Sequence, residues 1–222
     1  VRSVQQNLAL LQKGELPEST RRNFPKPSLH LLAEMPYYGS RDMLVYDPPG
    51  EAFNDDLGIE RYAHFIKRAK VVLFLVSVAD LEEPKAEDLY RLLNTYVLGM
   101  ARLNGRTKDQ HLVVIYTKAD YLIGEFKKHP AVLAHLGDPD HQGMVDPKKY
   151  LDTLKAVSAG LAVYTERELG ALSFTHLTHS QFKSVVYCAV SALGSAPEDG
   201  HLATAIQPRC VADPLIWVLE KS

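Results

Sequence analysis

Val71 to Val78, VVLFLVSV, is an uncharged run of eight residues, the length of a strand buried on both faces and far short of the roughly 20 apolar residues that cross a bilayer. Before it, Leu57, Tyr62, Phe65 and Ile66 stand among charged neighbours from Leu57 to Lys70, which is a helix pattern. After it, Leu89, Leu92, Leu93, Tyr96, Val97 and Met100 recur at three- and four-residue steps, so a second helix is expected over Glu87 to Asn104. Further apolar runs follow at Leu112 to Tyr116 and Ser184 to Val190. Apolar runs alternating with helices predict an α/β fold: a three-layer sandwich with a mostly parallel central sheet flanked by helices.

The remaining segments fit around that sheet. The opening VRSVQQNLALLQKG has helical spacing, with Val4, Leu8 and Leu11 on one face, and Glu15 to Pro27 reads as an exposed loop. Strands are expected at Ser28 to Met35 and Met43 to Tyr46, with a turn at residues 38–40 between them. From Tyr121 to Asp146 the pattern is interrupted by Pro130, Gly137, Pro139 and Gly143, and a long helix is expected from about Lys148 to Leu169. We read residues 121–183 as a loop and helix insertion within one domain spanning 1–222. A closing helix has Asp213 and Pro214 as its expected N-cap and first position.

Bulk chemistry excludes several classes. The net charge is -2 with both signs interspersed, so no nucleic-acid tail or polybasic anchor is expected, nor any transmembrane segment. Cys188 and Cys210 are too few for a disulfide framework and lack paired zinc spacing, which points to a reducing cytoplasm. Six of the nine histidines, His129, His135, His141, His176, His179 and His201, fall in or near the insertion and the later loop. Their spacing offers no carboxylate or thiolate at ligand distance, and we read them as surface residues rather than a metal site.

Three short motifs, each just past an expected strand, carry the chemistry. Asp47-Pro48-Pro49-Gly50 supplies a carboxylate for a magnesium ion and a glycine whose N–H can approach a terminal phosphate. Taken alone it is a Pro-Gly turn. Thr117-Lys118-Ala119-Asp120 offers a lysine stem to lie along a purine face and a carboxylate to accept two hydrogen bonds from a guanine edge, for which adenine has no matching donors. Ser191-Ala192-Leu193 is a small-residue loop whose backbone can meet the guanine carbonyl. The order of the three is more informative than any one, because open α/β sheets gather ligand loops at the carboxyl ends of their strands.

At these residues the chain resembles the Ras-like GTPases of the P-loop NTPase class, and the tail VADPLIWVLEK with DPPGE is similar to the bacterial double-GTPase group. The resemblance implies that Asp47 and Gly50 serve magnesium and the γ-phosphate. It also implies that Thr117, Lys118 and Asp120 serve the guanine, and that Ser191, Ala192 and Leu193 serve the base carbonyl. Thr20, or failing it Ser19, lies where such proteins keep a magnesium-binding switch threonine, although a Ser-Thr pair in a polar loop is as readily a solvated turn. Glu51 takes the position of the glutamine that orients the attacking water, which implies slow hydrolysis or outside help.

One departure governs the mechanism. GxxxxGK[ST] occurs nowhere in the 222 residues, so the phosphate-cradling N–H groups, the lysine and the magnesium-binding hydroxyl are not supplied by them. The strand before that loop is central in a Ras-like sheet, and without it two neighbours keep unpaired backbone groups. With the helix-like start at Val1, this leads us to expect a strand and loop upstream. The expected function is a GTP/GDP switch with magnesium, acting through a protein effector or regulator. The alternatives are a pseudo-GTPase interaction module and, less favoured because of Asp120, an ATPase of the same broad fold.

Overall fold

A computed structural model describes Lys13 and residues 29–35, 39–46, 53, 56–77, 85–138, 146–194 and 206–222, and places the strands in two separate sheets. Leu29–Met35 (β1) and Gly39–Val45 (β2) pair antiparallel, with Leu29 opposite Val45 and Met35 opposite Gly39. Gly39 and Ser40, expected in a turn, are thus the first residues of β2. Gly39 has φ +68°, a conformation open to glycine at little cost, and this lets the strand begin there. The opening helix and the loop at residues 15–27 lie outside the described residues.

The second sheet holds the three uncharged runs. Val71–Ser77 (β3), His111–Thr117 (β4) and Ser184–Ala189 (β5) are parallel in the order β3-β4-β5, with Val71 beside His111 and His111 beside Ser184. The chain is therefore an α/β fold with a three-stranded parallel sheet packed against helices. β4 is central, and Leu112 to Tyr116 are all buried. β3, expected to be buried on both faces, instead has Leu75 64% exposed and only Val76 buried, and among the described residues no strand pairs with its other edge.

Side chains alternate between the two faces of this sheet. Val72, Phe74 and Val76, with Leu112, Val114 and Tyr116, face one core shared with Asp56–Tyr62 (α1), Lys85–Arg102 (α2) and Leu172–Gln181. Val113, Ile115, Val186 and Cys188 face a second core against Tyr150 and Leu154 of one helix and Ile216 and Trp217 of another. These helices, with the short one before them, are Pro130–Gly137 (α3), Pro147–Arg167 (α4), Leu172–Gln181 (α5) and Asp213–Lys221 (α6). α4 passes the outer edge of β5, where the Tyr187 N–H donates to Ser158 Oγ at 2.9 Å. α4 and α5, both from the 121–183 stretch, thereby supply core residues.

Pro130 and Gly137, expected to interrupt the pattern, are the first and last residues of α3, and α5 is not among the expected helices; an expected helix is also broken. The stretch from Leu57 to Lys70 is not continuous: α1 ends at Tyr62, and a 3₁₀ turn, His64–Arg68, follows a break at Ala63 (φ -125°, ψ 31°). The break turns Ile66 into the core, while Phe65 stacks on Tyr46 at the end of β2, ring centroids 4.4 Å apart. Buried Gln110 holds the turn, its side-chain amide donating to Ile66 O at 2.8 Å and Ala69 O at 2.9 Å while its carbonyl accepts from Tyr96 Oη at 2.8 Å. α2 ends as helices with a left-handed terminal residue do: Asn104 has φ +54° and the Gly105 N–H reaches back to Met100 O at 2.8 Å.

Candidate functional site

The carboxyl ends of β4 and β5 meet in two loops that bond directly to each other. Thr117 closes β4, and its hydroxyl donates to Val76 O at 3.3 Å, tying the end of β4 to β3. Lys118 then turns left-handed (φ 56°, ψ 40°), exposed, and its carbonyl accepts from Tyr121 N at 3.0 Å. A left-handed lysine costs roughly 1 kcal/mol or more, and such strain is concentrated at functional loops. Ala119 is fully buried and donates its N–H to Val190 O at 3.0 Å, across to the β5 loop.

A side-chain bond also joins the two loops. Ser191, 1% exposed, donates from Oγ to Asp120 Oδ1 at 2.5 Å, and the same Oγ accepts the Gly194 N–H at 2.9 Å. Ala192 is exposed and Leu193 half-buried. Asp120 is itself half-buried, and a carboxylate has about four lone-pair sites, so one hydroxyl leaves it capacity for further donors. The arrangement can hold a carboxylate in one orientation at the mouth of two strands and offer backbone groups of the 191–193 loop beside it. Thr117, Lys118, Asp120, Ser191, Ala192 and Leu193 are thus brought together. Thr20, Asp47, Gly50 and Glu51 lie outside the described residues.

Beneath the 119–128 loop sits an aromatic cluster that sequence reasoning missed. Tyr116, next to Thr117, bonds Thr165 Oγ1 at 2.6 Å, and Tyr164 donates to Glu125 at 2.5 Å. Tyr164 also packs edge-on against Tyr116, Phe126 and His129. Burial pushes both phenols well above their ordinary pKa, with the Glu125 carboxylate adding to the rise at Tyr164. Both stay neutral hydrogen-bonding groups. The spacing of Tyr116 and Tyr164 gives no sign of their pairing.

Two of the six histidines correct the sequence reading, whereas His176 and His179 are exposed as expected and His141 and His201 lie outside the described residues. His129 and His135 are buried, each 7% exposed, rather than on the surface. His129 Nε2 lies 3.4 Å from Glu168 Oε2 without hydrogen-bond geometry. His135 Nε2 lies 2.7 Å from Asp213 Oδ2, and Tyr150 Oη donates to Asp213 Oδ1 at 2.5 Å. Asp213, fully buried, is the first residue of α6 with Ala212 as N-cap, so its carboxylate turns into the core instead of capping the helix as expected. Against the expectation that no carboxylate or thiolate stands near these histidines, the donor atoms of His135, Cys210 and Asp213 all lie within 4.8 Å of one another. With one ring and one phenol already on the two carboxylate oxygens, we read the group as a satisfied polar network. A groove of about 340 Å³ along β5, lined by Lys155, Ser158, Trp217 and Lys221, includes none of the loop residues 117–120 or 191–194.

No family model, curated protein or solved structure matches this chain. It is an α/β domain with a small parallel sheet.

Proposed function

We propose that the chain is the greater part of a Ras-like GTPase domain, a guanine-nucleotide switch that uses magnesium. The observation that carries the reading is the 2.5 Å bond from Ser191 to Asp120, which joins the two expected base loops at the carboxyl ends of adjacent parallel strands. A chance pair of turns has no reason to orient that carboxylate with a buried hydroxyl. The division into two sheets, with β3 unpaired on one edge among the described residues, also accords with a sheet whose central strand stands between them.

In this reading Lys118 lies along the purine and Asp120 accepts from the guanine edge, with the 191–193 backbone at the base carbonyl. Asp47, Gly50 and Thr20 hold magnesium and the γ-phosphate, and loss of that phosphate on hydrolysis releases their loops. Glu51 repels the γ-phosphate, so turnover is slow unless another protein contributes. The segment from α1 through the His64–Arg68 turn, stacked on Tyr46 through Phe65, transmits the change to an effector. The lack of GxxxxGK[ST] favours one alternative, an interaction module without productive nucleotide binding.

Calorimetry with GDP, a GTP analogue and ATP in magnesium separates the two, using the chain as it stands and a form carrying whatever its gene encodes before Val1. Guanine-selective binding by either form supports the switch; folded proteins that bind no nucleotide support the interaction module. In the binding form, Asp120→Asn is expected to weaken GDP by about 10- to 150-fold, the roughly 1.5–3 kcal/mol of hydrogen bonds to a charged group. Xanthine nucleotide should gain. An unchanged base preference removes the assignment of Asp120.

A further inference from the structure

We propose that residues 206–213 form a strap that fixes the conformation of the Ser191–Gly194 loop, with Arg209 and Asp213 as its positioning residues. As a statement about base recognition this rests on the function proposed above. The loop is held from two sides. On the sheet side, Ala119 N donates to Val190 O at 3.0 Å; on the other, Ser191 and Arg209 exchange both backbone bonds, at 3.0 and 2.8 Å, and Gln207 N donates to Leu193 O at 3.0 Å. Contact is closest at Gly194, which has φ +82° and where a Cβ would stand 2.3 Å from Gln207 O. Only glycine fits there.

The strap is in turn anchored to the end of α3. Helix C-termini leave carbonyls without intrahelical partners, and the strap serves two of them: Arg209 Nη1 donates to Leu136 O at 3.0 Å and Cys210 Sγ lies 3.7 Å from His135 O. Cys210 adopts φ +57° as the strap bends into α6. Three residues on, Asp213 is locked by the His135 ring and the Tyr150 phenol, from α3 and α4. A continuous path therefore runs from buried Asp213 through Arg209 to Ser191 and Asp120. Each link is a hydrogen bond or a covalent neighbour, and a defect at one end alters the geometry at the other. The helices of the 121–183 stretch thus gain a part in base recognition without touching the base.

The test uses the full chain carrying Gly194→Ala, Arg209→Ala or Asp213→Asn, followed by amide hydrogen exchange and by the ratio of GDP to IDP affinity. IDP lacks the exocyclic amine that Asp120 would accept from. The expected result is exchange at the Ser191 and Gly194 amides at least about tenfold faster, with Val113–Tyr116 unchanged, and a GDP over IDP preference reduced several-fold. A strap with only a general structural role leaves that preference intact and raises exchange uniformly, which overturns the proposal, as does unchanged exchange in folded variants. Should Asp213→Asn not fold, Gly194→Ala and Arg209→Ala decide alone. A parent chain that binds no guanine nucleotide removes the proposed function, and the exchange rates still decide whether the strap fixes the loop.

Discussion

Ser191 concentrates more consequence in one atom than any other described residue of the site. Its Oγ donates to Asp120 and accepts from Gly194 while almost fully buried. Ser191→Ala leaves an N–H and a carboxylate oxygen short of a partner, costing about 1–3 kcal/mol. A melting curve should show a fall of about 2–4 °C for each kcal/mol in a chain of this size, and in the proposed switch guanine-nucleotide binding should weaken alongside. Thr117→Val removes only a 3.3 Å bond from a half-buried hydroxyl and should cost less than Ser191→Ala in the same assay. What was legible at this scale was residue type and order. The left-handed Lys118 and the inward Asp213 were not, because both depend on segments distant in sequence: Val190 meets the lysine's neighbour, and His135 and Tyr150 draw in the aspartate.

Among elements, the apolar strands were read nearly to the residue, since each is an uninterrupted uncharged run of strand length. α5 was missed for a physical reason. Its buried residues are Phe174, Thr175 and Thr178, and the two threonines satisfy their hydroxyls on helix carbonyls, Ala171 O at 3.1 Å and Thr175 O at 2.7 Å. A buried face made partly of threonine shows no apolar stripe. The α1–α2 seam yields a prediction of its own. A Cβ at Gly99 would lie 2.6 Å from Ile59 Cγ2 and 2.7 Å from its Cβ, so the clash reaches the root of that side chain. Gly99→Ala gains up to about 1 kcal/mol of helix propensity and loses about 1–3 kcal/mol to overpacking. Denaturant unfolding should therefore find the alanine protein less stable, against the usual sign for that exchange in a helix.

The whole molecule carries a pH dependence that starts at the base of the parallel sheet. His111, half-buried at the start of β4 with Nδ1 2.7 Å from Ser184 Oγ, is kept below its ordinary pKa of 6.5 by burial first and then by Lys183 and Lys221. Between the lowered folded value and 6.5 the unfolded chain takes up a proton that the folded chain does not. Stability from this group is therefore complete above 6.5, falls as pH drops through that window, and is fully lost below the folded value. Unfolding midpoints in urea at pH 7.5 and 5.5 should differ less for His111→Asn than for the parent; an equal difference excludes His111 as a contributor.

The pairing of β4 with β5 also sets a timetable. His111 and Ser184, neighbours in the sheet, are 73 residues apart in the chain, whereas β1 and β2 close on each other across a short connection. Local pairs form early and distant parallel strands late. On a ribosome the Asp120 loop emerges and waits; its partner hydroxyl at Ser191 is synthesised long afterwards, and the residues from 206 to 213 that clasp it come later still. In the proposed switch, guanine nucleotide bound through this contact would stabilise only chains that extend past residue 213, and adding it to nascent chains should protect those from protease while leaving every shorter intermediate as vulnerable as before.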